Sequence, residues 1–218
     1  ECANIPLGTN YCDHIEQQLL PIGKYDKLYA GDAFAPRSAS QQDVWRVVAA
    51  QDDTMVALVP QVAGPYTLSA GQWVEFYSGQ SFVLEANKPV AVGHYMQGSN
   101  YAGFQPHPSC SGGTGIGDPA FTIAIPLNSF RPSHRVLTPA AYELDYLNII
   151  AQVGAGNDVT LDGLLVATPF VPMGASGYAV AQVPVSDGVH EVVSQGGPIG
   201  VNAYGYACDV SYAYPGGL

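Results

Sequence analysis

Two stretches of this chain repeat each other in order, and that limits the fold more than any other feature. Asp43-Val-Trp-Arg-Val-Val-Ala49 aligns with Asp145-Tyr-Leu-Asn-Ile-Ile-Ala151, and Pro89-Val-Ala-Val-Gly-His-Tyr95 with Pro198-Ile-Gly-Val-Asn-Ala-Tyr204. Upstream of each copy, Leu20-Pro21 with Tyr25 matches Ile125-Pro126 with Phe130. The offsets of 102, 109 and 105 residues keep order and spacing, with small loop insertions between. A chain built this way holds two copies of one supersecondary unit.

Each copy reads as short strands. In the first, Trp45–Ala50, Thr54–Val59, Tyr66–Leu68, Gln72–Tyr77, Ser81–Leu84 and Val90–Met96 are apolar or alternating runs separated by turn residues. In the second they are Tyr146–Val153, Asp158–Val166, Ala179–Val183, His190–Ser194 and Ile199–Tyr206. Strands of this length at this spacing predict an all-β fold, an antiparallel β-sandwich of two duplicated modules. Pro89 and Pro198 are expected to open each closing strand, where a missing N–H is tolerated. The one helical candidate is Cys12–Leu20, with Asp13 as N-cap and Glu16 three residues on. The expected organisation is an N-terminal cysteine loop over 1–20, a first module over 21–109 and a second over 110–218.

Composition narrows the function classes. Among 218 residues there are 25 Gly, 17 Pro and 14 Tyr, and charged residues make up 11%, well below the globular norm of about 25%. The net charge of −11 and the seven scattered cations offer no basic stripe, which argues against nucleic acid and anionic bilayers. No apolar run reaches the roughly 18–20 residues of a membrane helix, so membrane insertion is not expected. Four cysteines, Cys2, Cys12, Cys110 and Cys208, form no Cys-x-x-Cys pair. Zinc and thioredoxin chemistry therefore give way to structural disulfides in an oxidising compartment. We pair Cys2 with Cys12 and Cys110 with Cys208, one of three possible connectivities. The chain starts without a signal peptide and reads as a mature or excised stretch.

Catalytic patterns fail in turn. There is no Gly-x-Ser-x-Gly, and His14, His94, His107, His134 and His190 are scattered without metal-ligand spacing. Asp43 and Asp145 hold equivalent places at equivalent strand starts, which suits a repeated structural task such as bonding turn amides. Gly154-Ala-Gly-Asn-Asp158 mimics one calcium nonapeptide but has no tandem partner, and reads as a turn. Gly112–Asp118 resembles a phosphate loop without its Lys and following helix. No metal, cofactor or catalytic residue is expected. The remaining functional candidates are aromatic: Tyr101, Phe104 and His107 in the long Gly98–Pro119 loop, and Tyr212 and Tyr214 beyond Cys208. A Cys110–Cys208 bond would bring these groups together, and Tyr is well suited to binding loops because its large ring loses little entropy.

Three segments carry a family resemblance. Pro89-Val-Ala-Val-Gly-His-Tyr95, Asp118-Pro-Ala-Phe-Thr-Ile-Ala-Ile-Pro126 and Ser211-Tyr-Ala-Tyr-Pro-Gly-Gly217 resemble the IgG-Fc-binding protein N-terminal domain family, in its bacterial surface form. Ser81-Phe82 fits the same pattern, and the likeness runs from about Cys12 to Gly217. The resemblance implies an extracellular, disulfide-bearing, repeat-built protein, with Cys2–Leu20 as the tail loop of a preceding repeat. Its motifs describe strands and turns, so the Fc-binding activity of the mammalian namesake does not carry over. The expectation is a non-enzymatic, adhesion-type domain, secreted or on a cell surface, that recognises a protein or glycan on a cell surface or in matrix. The alternative is a purely structural subunit that self-associates into a surface fibre or layer, and a secreted hydrolase is the third choice.

Overall fold

A computed structural model of the chain describes residues 2–8, 13–99, 105–111 and 115–217. The N-terminal pair β1 (Cys2–Ala3) and β2 (Asp13–His14) is antiparallel. The first unit follows as β3 (Asp26–Gly31), β4 (Asp43–Ala49), β5 (Thr54–Val59), β6 (Tyr66–Leu68), β7 (Trp73–Ser78), β8 (Phe82–Met96) and β9 (Ala120–Ile123). β10 (Ile125–Pro126) leads through a 3-10 turn into β11 (Ser133–Thr138), β12 (Leu144–Gln152), β13 (Val159–Leu161) and β14 (Leu164–Leu165). β15 (Val171–Pro172), β16 (Tyr178–Val185), β17 (Gly188–Ser194), β18 (Gly200–Ala207) and β19 (Val210–Pro215) complete the chain.

Each unit is a pair of packed antiparallel layers, and the strand order is the same in both. One layer runs β3-β8-β5-β6 in the first unit and β11-β17-β13-β14 in the second. The other runs β7-β4-β8-β9 and β16-β12-β18-β19. Register repeats as well. Trp45 faces His94 and Val47 faces Val92, while the aligned Leu147 faces Ala203 and Ile149 faces Val201. The duplication read from the sequence is therefore a duplication of hydrogen-bonded pairs. Period-2 alternation puts Trp45, Val47, Phe82, Leu84 and Val92 into one core, and Leu147, Ile149, Val192 and Val201 into the other.

Two local expectations are corrected. Cys12–Leu20 is not a helix: Asp13–His14 is strand and residues 15–20 are irregular, with Cys12 itself outside the described residues. Nine residues with one capping pattern are too few to hold a helix by themselves. Pro89 does not open a strand, because β8 runs unbroken from Phe82 to Met96. Its first half pairs with β3 and β5 and its second with β4 and β9, so it bends from one layer to the other. The register shift between Asp26 and Leu28 lies opposite this bend. In the second unit Gly196-Gly-Pro198 breaks the same path into β17 and β18. Residues 120–126 pair with the strands of the first unit, β9 on β8 and β10 on β3.

Between β8 and β9 lies the long Gly98–Pro119 loop, whereas β18 turns into β19 at Cys208-Asp209. The Cys110–Cys208 disulfide ties that loop to that turn. Ile116 forms a β-bridge with Cys208 beside it, and Gly117 donates its N–H to the Ala207 carbonyl at 2.8 Å. The bond closes a sequence separation of 98 residues. Replacing both cysteines by serine is expected to lower unfolding free energy by about 4–5 kcal/mol in the chain-entropy description. Urea denaturation of the two proteins measures this, and equal midpoints would contradict it.

Candidate functional site

The junction between the units holds a network of buried polar groups that includes Asp32, Asn148 and Asn202. After β3 the chain runs as Asp32-Ala-Phe-Ala35 outside any strand; the first unit accepts the Ala33 and Phe34 N–H groups at Ser81 and Asp43, and the second unit supplies the other partners. Asn148 Nδ2 donates to Asp32 Oδ2 at 2.9 Å and Asn202 Nδ2 to Asp32 Oδ1 at 2.7 Å. The Ala33 carbonyl accepts from Asn148 and from Gln182 Nε2 at 2.7 Å. Tyr204 accepts the Ala35 N–H at 2.9 Å and donates to Asn148, while the Tyr206 hydroxyl donates to the Ala35 carbonyl. Burial pushes the Asp32 carboxyl pKa up, and the two asparagine donors oppose that shift.

Phe34 continues the junction into the first core. Its ring stacks on His94 at 3.9 Å, and His94 stacks on Trp45 at 3.7 Å on its other side. His94 Nε2 lies 2.8 Å from Asp43 Oδ2, and the same oxygen accepts the Phe34 N–H at 2.7 Å. This His–Asp pair is closed off from solvent, so it positions the loop and offers no surface for substrate. Asp43 thus bonds a backbone amide, that of Phe34 in the irregular segment after β3, and not a turn amide as its position suggested. Its counterpart Asp145 instead accepts the Tyr212 hydroxyl at 2.5 Å.

The aromatic candidates fall into different settings. Tyr101 and Phe104 lie outside the described residues. His107 is half-buried in a turn, its carbonyl accepting the Cys110 N–H at 2.9 Å. Tyr212 and Tyr214 are half-buried on β19 and pack against the second core. The Tyr214 hydroxyl donates to the Leu137 carbonyl and accepts the Leu137 N–H, so it caps the free edge of β11. Tyr212 reaches Asp145 only because position 205 is glycine: a Cβ there would stand 2.5 Å from the Tyr212 ring. The Cys2–Cys12 pairing also lies outside the described residues.

The strongest exposed surface is one the sequence reading missed, the outer face of β7-β4-β8-β9. Trp73 is 57% exposed, whereas Trp45, on the inner face, is wholly buried. The Arg46 guanidinium sits 5.2 Å from the centres of both the Trp73 and Tyr95 rings, and its Nε donates to Glu75 at 2.8 Å. Tyr95 stacks on Phe121 at 4.4 Å. Gly93 leaves room for that stack, since a Cβ would come within 3.1 Å of both rings. A groove of about 360 Å³ runs along this face between Trp73, Tyr77 and Tyr95 and the N-terminal residues Ile5 and Leu7. Alternation of Trp73, Glu75 and Tyr77 was a legible cue, but Arg46 and Tyr95 join them only through strand order. Flat rings beside a fixed cation and carboxylate can stack on apolar or sugar faces and hydrogen-bond at the rim.

Among the described residues no group of three or more His, Cys, Asp or Glu is placed to hold a metal. No helix among them is long and apolar enough to cross a membrane.

Fold and site together define a duplicated, disulfide-bonded all-β domain of the binding type. The chain belongs to the IgGFc binding protein family, whose model matches residues 1–205 of its 218. Neither the curated proteins nor the solved structures gave a match. The disulfide and the family both accord with a secreted or surface location.

Several carboxyls bind protons more tightly in the fold than in the unfolded chain. Asp118 is raised to about 6, first by burial and then by Asp13 and Asp209, and burial also raises Asp32 and Asp145. A raised folded-state pKa means that stability is lost as pH climbs from the unfolded carboxylate value, about 4, towards the folded one. His190, raised by Asp162 2.7 Å away, extends the same decline past its unfolded value of about 6.5. Asp162 is lowered, so its contribution is lost only under acid conditions. The melting temperature is therefore expected to be higher at pH 5 than at pH 8, with Asp118→Asn narrowing the gap. A higher melting temperature at pH 8 would contradict this.

Proposed function

We propose that this chain is a non-enzymatic, secreted or cell-surface domain of the adhesion type, which recognises a protein or glycan through the first unit's exposed aromatic face. The observation that carries the reading is Arg46, held between Trp73 and Tyr95 and paired with Glu75 on an open sheet surface. Membership of a family of binding proteins supports it. Exposed Trp, Tyr and Arg are the residue types that dominate binding energy where they are desolvated by a partner.

The Gly98–Pro119 loop joins the same proposal. It leaves β8 just past Tyr95, and Gly98 donates its N–H to the carbonyl of Ile5, a wall of the groove, at 2.7 Å. Tyr101, Phe104 and His107 would then extend the contact. Tyr212 and Tyr214, whose hydroxyls are used within the chain, would enter it only through the ring faces left half exposed. The division into a cysteine loop over 1–20 and modules over 21–109 and 110–218 is proposed with it, residues 120–126 of the second module being lent to the first sheet.

The chain has two tryptophans, one buried and one on this face, so fluorescence reports the face directly. Titration against a panel of immobilised glycans and against immunoglobulin Fc should identify a binder that shifts Trp73 emission. Trp73→Ala should abolish that shift and weaken binding by at least tenfold, with the melting temperature nearly unchanged, as for exposed positions generally. Binding that survives Trp73→Ala together with Tyr95→Ala would overturn the reading.

A further inference from the structure

Part of the chain already lies across the outer face of the first unit. Val44 shares that side of β4 with Arg46, since side chains alternate along a strand, yet it is only 3% exposed. Its cover is the N-terminal segment. Asn4–Leu7 and Ile15 line the groove together with Val44, Trp73, Tyr77 and Tyr95. The Ile5 side chain is buried there, and Leu7 stands at the rim, 94% exposed. Gly98, two residues past β8, latches the segment by donating its N–H to the Ile5 carbonyl at 2.7 Å. The second unit holds an irregular segment on the equivalent face more tightly. There Asn148, Gln182 and Tyr204 bond Asp32–Ala35. By register their counterparts are Arg46, Glu75 and Tyr95, and Arg46 and Glu75 bond each other instead.

The other end of the N-terminal segment meets a corner of like charge. β2, paired with β1, carries Asp13. Asp118 and Asp209 lie on the far side, held together by the Ile116–Cys208 bridge and by the Asp118 N–H donated to Ser211 Oγ at 2.9 Å. Asp118 is 5% exposed, and its Oδ1 is sealed from water with no hydrogen-bond partner among the described residues. An ionised carboxylate is poorly served in that position. We propose that the N-terminal segment is a proton-locked strap, closed over the Trp73–Tyr95 groove in acid and lifted from it at neutral pH. This rests on reading that groove as the binding site, and adds its control.

The charges around the corner set the direction. Asp118 is raised to about 6, first by burial and then by Asp13 and Asp209, while Arg37 opposes the shift from the segment after β3. Asp13 is raised by burial and then by Asp209, and Tyr142, before β12, is raised in part by Asp13. His14, next to Asp13, faces Glu16 at 3.9 Å. Lifting the strap separates Asp13 from Asp118 and Asp209 and lets their carboxyls return towards about 4. The closed form therefore holds protons more tightly than the open one, and closure is lost as pH climbs from about 4 through the raised values.

Hydrogen exchange at the Gly98 amide reports the latch. Its protection factor, taken relative to the amides of β4, should fall by about tenfold or more between pH 5 and pH 8, the equivalent of one pKa unit. Asp118→Asn and Asp13→Asn, each with unchanged circular dichroism, should keep it high at pH 8. A ratio that stays constant in wild type, or that falls as far in both variants, would overturn the proposal. A glycan or Fc that shifts Trp73 emission should bind wild type about tenfold more weakly at pH 5 than at pH 8, and Asp13→Asn weakly at both. Equal wild-type affinity at the two pH values would also overturn it. If Gly98 follows pH as described and no glycan or Fc binds, the strap stands and the Trp73 reading fails. If Trp73→Ala loses a ligand while Gly98 is indifferent to pH, the reverse holds.

Discussion

A carboxylate buried between two sheets needs donors, and Asp32 finds them only on the other half of the molecule. Asn148 and Asn202 each give it one hydrogen bond, and in the backbone that follows Asn148, Gln182, Tyr204 and Tyr206 satisfy the Ala33 and Ala35 carbonyls and the Ala35 amide, while Ser81 and Asp43 of the first unit take the Ala33 and Phe34 amides. Buried polar groups left unmet are costly, so this segment is stable where it is only while the second unit is in place. The apolar clusters flanking it, Phe34, Met96 and Tyr206 on one side and Ala30, Ile150 and Met173 on the other, depend on the same docking. The Cys110–Cys208 bond ties the loop after β8 to the β18–β19 turn.

Duplication explains how such a junction can arise and why the two copies diverge. The same strand positions carry Asn148 and Gln182 where they face a neighbour, and Arg46 and Glu75 where they face solvent. Small apolar residues, Ala30 and Val83, occupy the donor face that is covered, and an ion pair occupies the one that is open. The inner faces keep their apolar character in both copies, because each core must bury its own layers. Selection on the outer faces is free to follow the partner, which makes those faces the informative part of the molecule.

The strands and their repetition were legible because period-2 patterning and turn residues act locally. The register of Trp45 on His94 and Leu147 on Ala203 falls where the aligned motifs place it. What the sequence hid was long-range. Asp32-Ala-Phe-Ala35 looks like any polar-to-apolar loop, and Asn148 and Asn202 look like outward positions of a solvated strand. Only the packing of one unit on the other turns them into a buried network. The Trp73 face was hidden for a related reason: β7, β4 and β8 are far apart in sequence, so the Arg46 cluster exists only after the sheet is ordered. The long loop drew attention instead because Gly, Ser and Tyr crowd there, and the helix expected over Cys12–Leu20 rested on two capping residues alone.

Asp32 couples two similar units into one cooperative structure. Differential scanning calorimetry of the wild type and of Asp32→Ala, with the disulfide intact, addresses it directly. Wild type should unfold in a single transition whose calorimetric and van't Hoff enthalpies agree. Removing the carboxylate leaves two asparagine donors without their acceptor, at a cost of about 3 kcal/mol or more, and should split the trace into two transitions. A variant trace that remains single and superimposes on the wild type would show that the units are held together by something else.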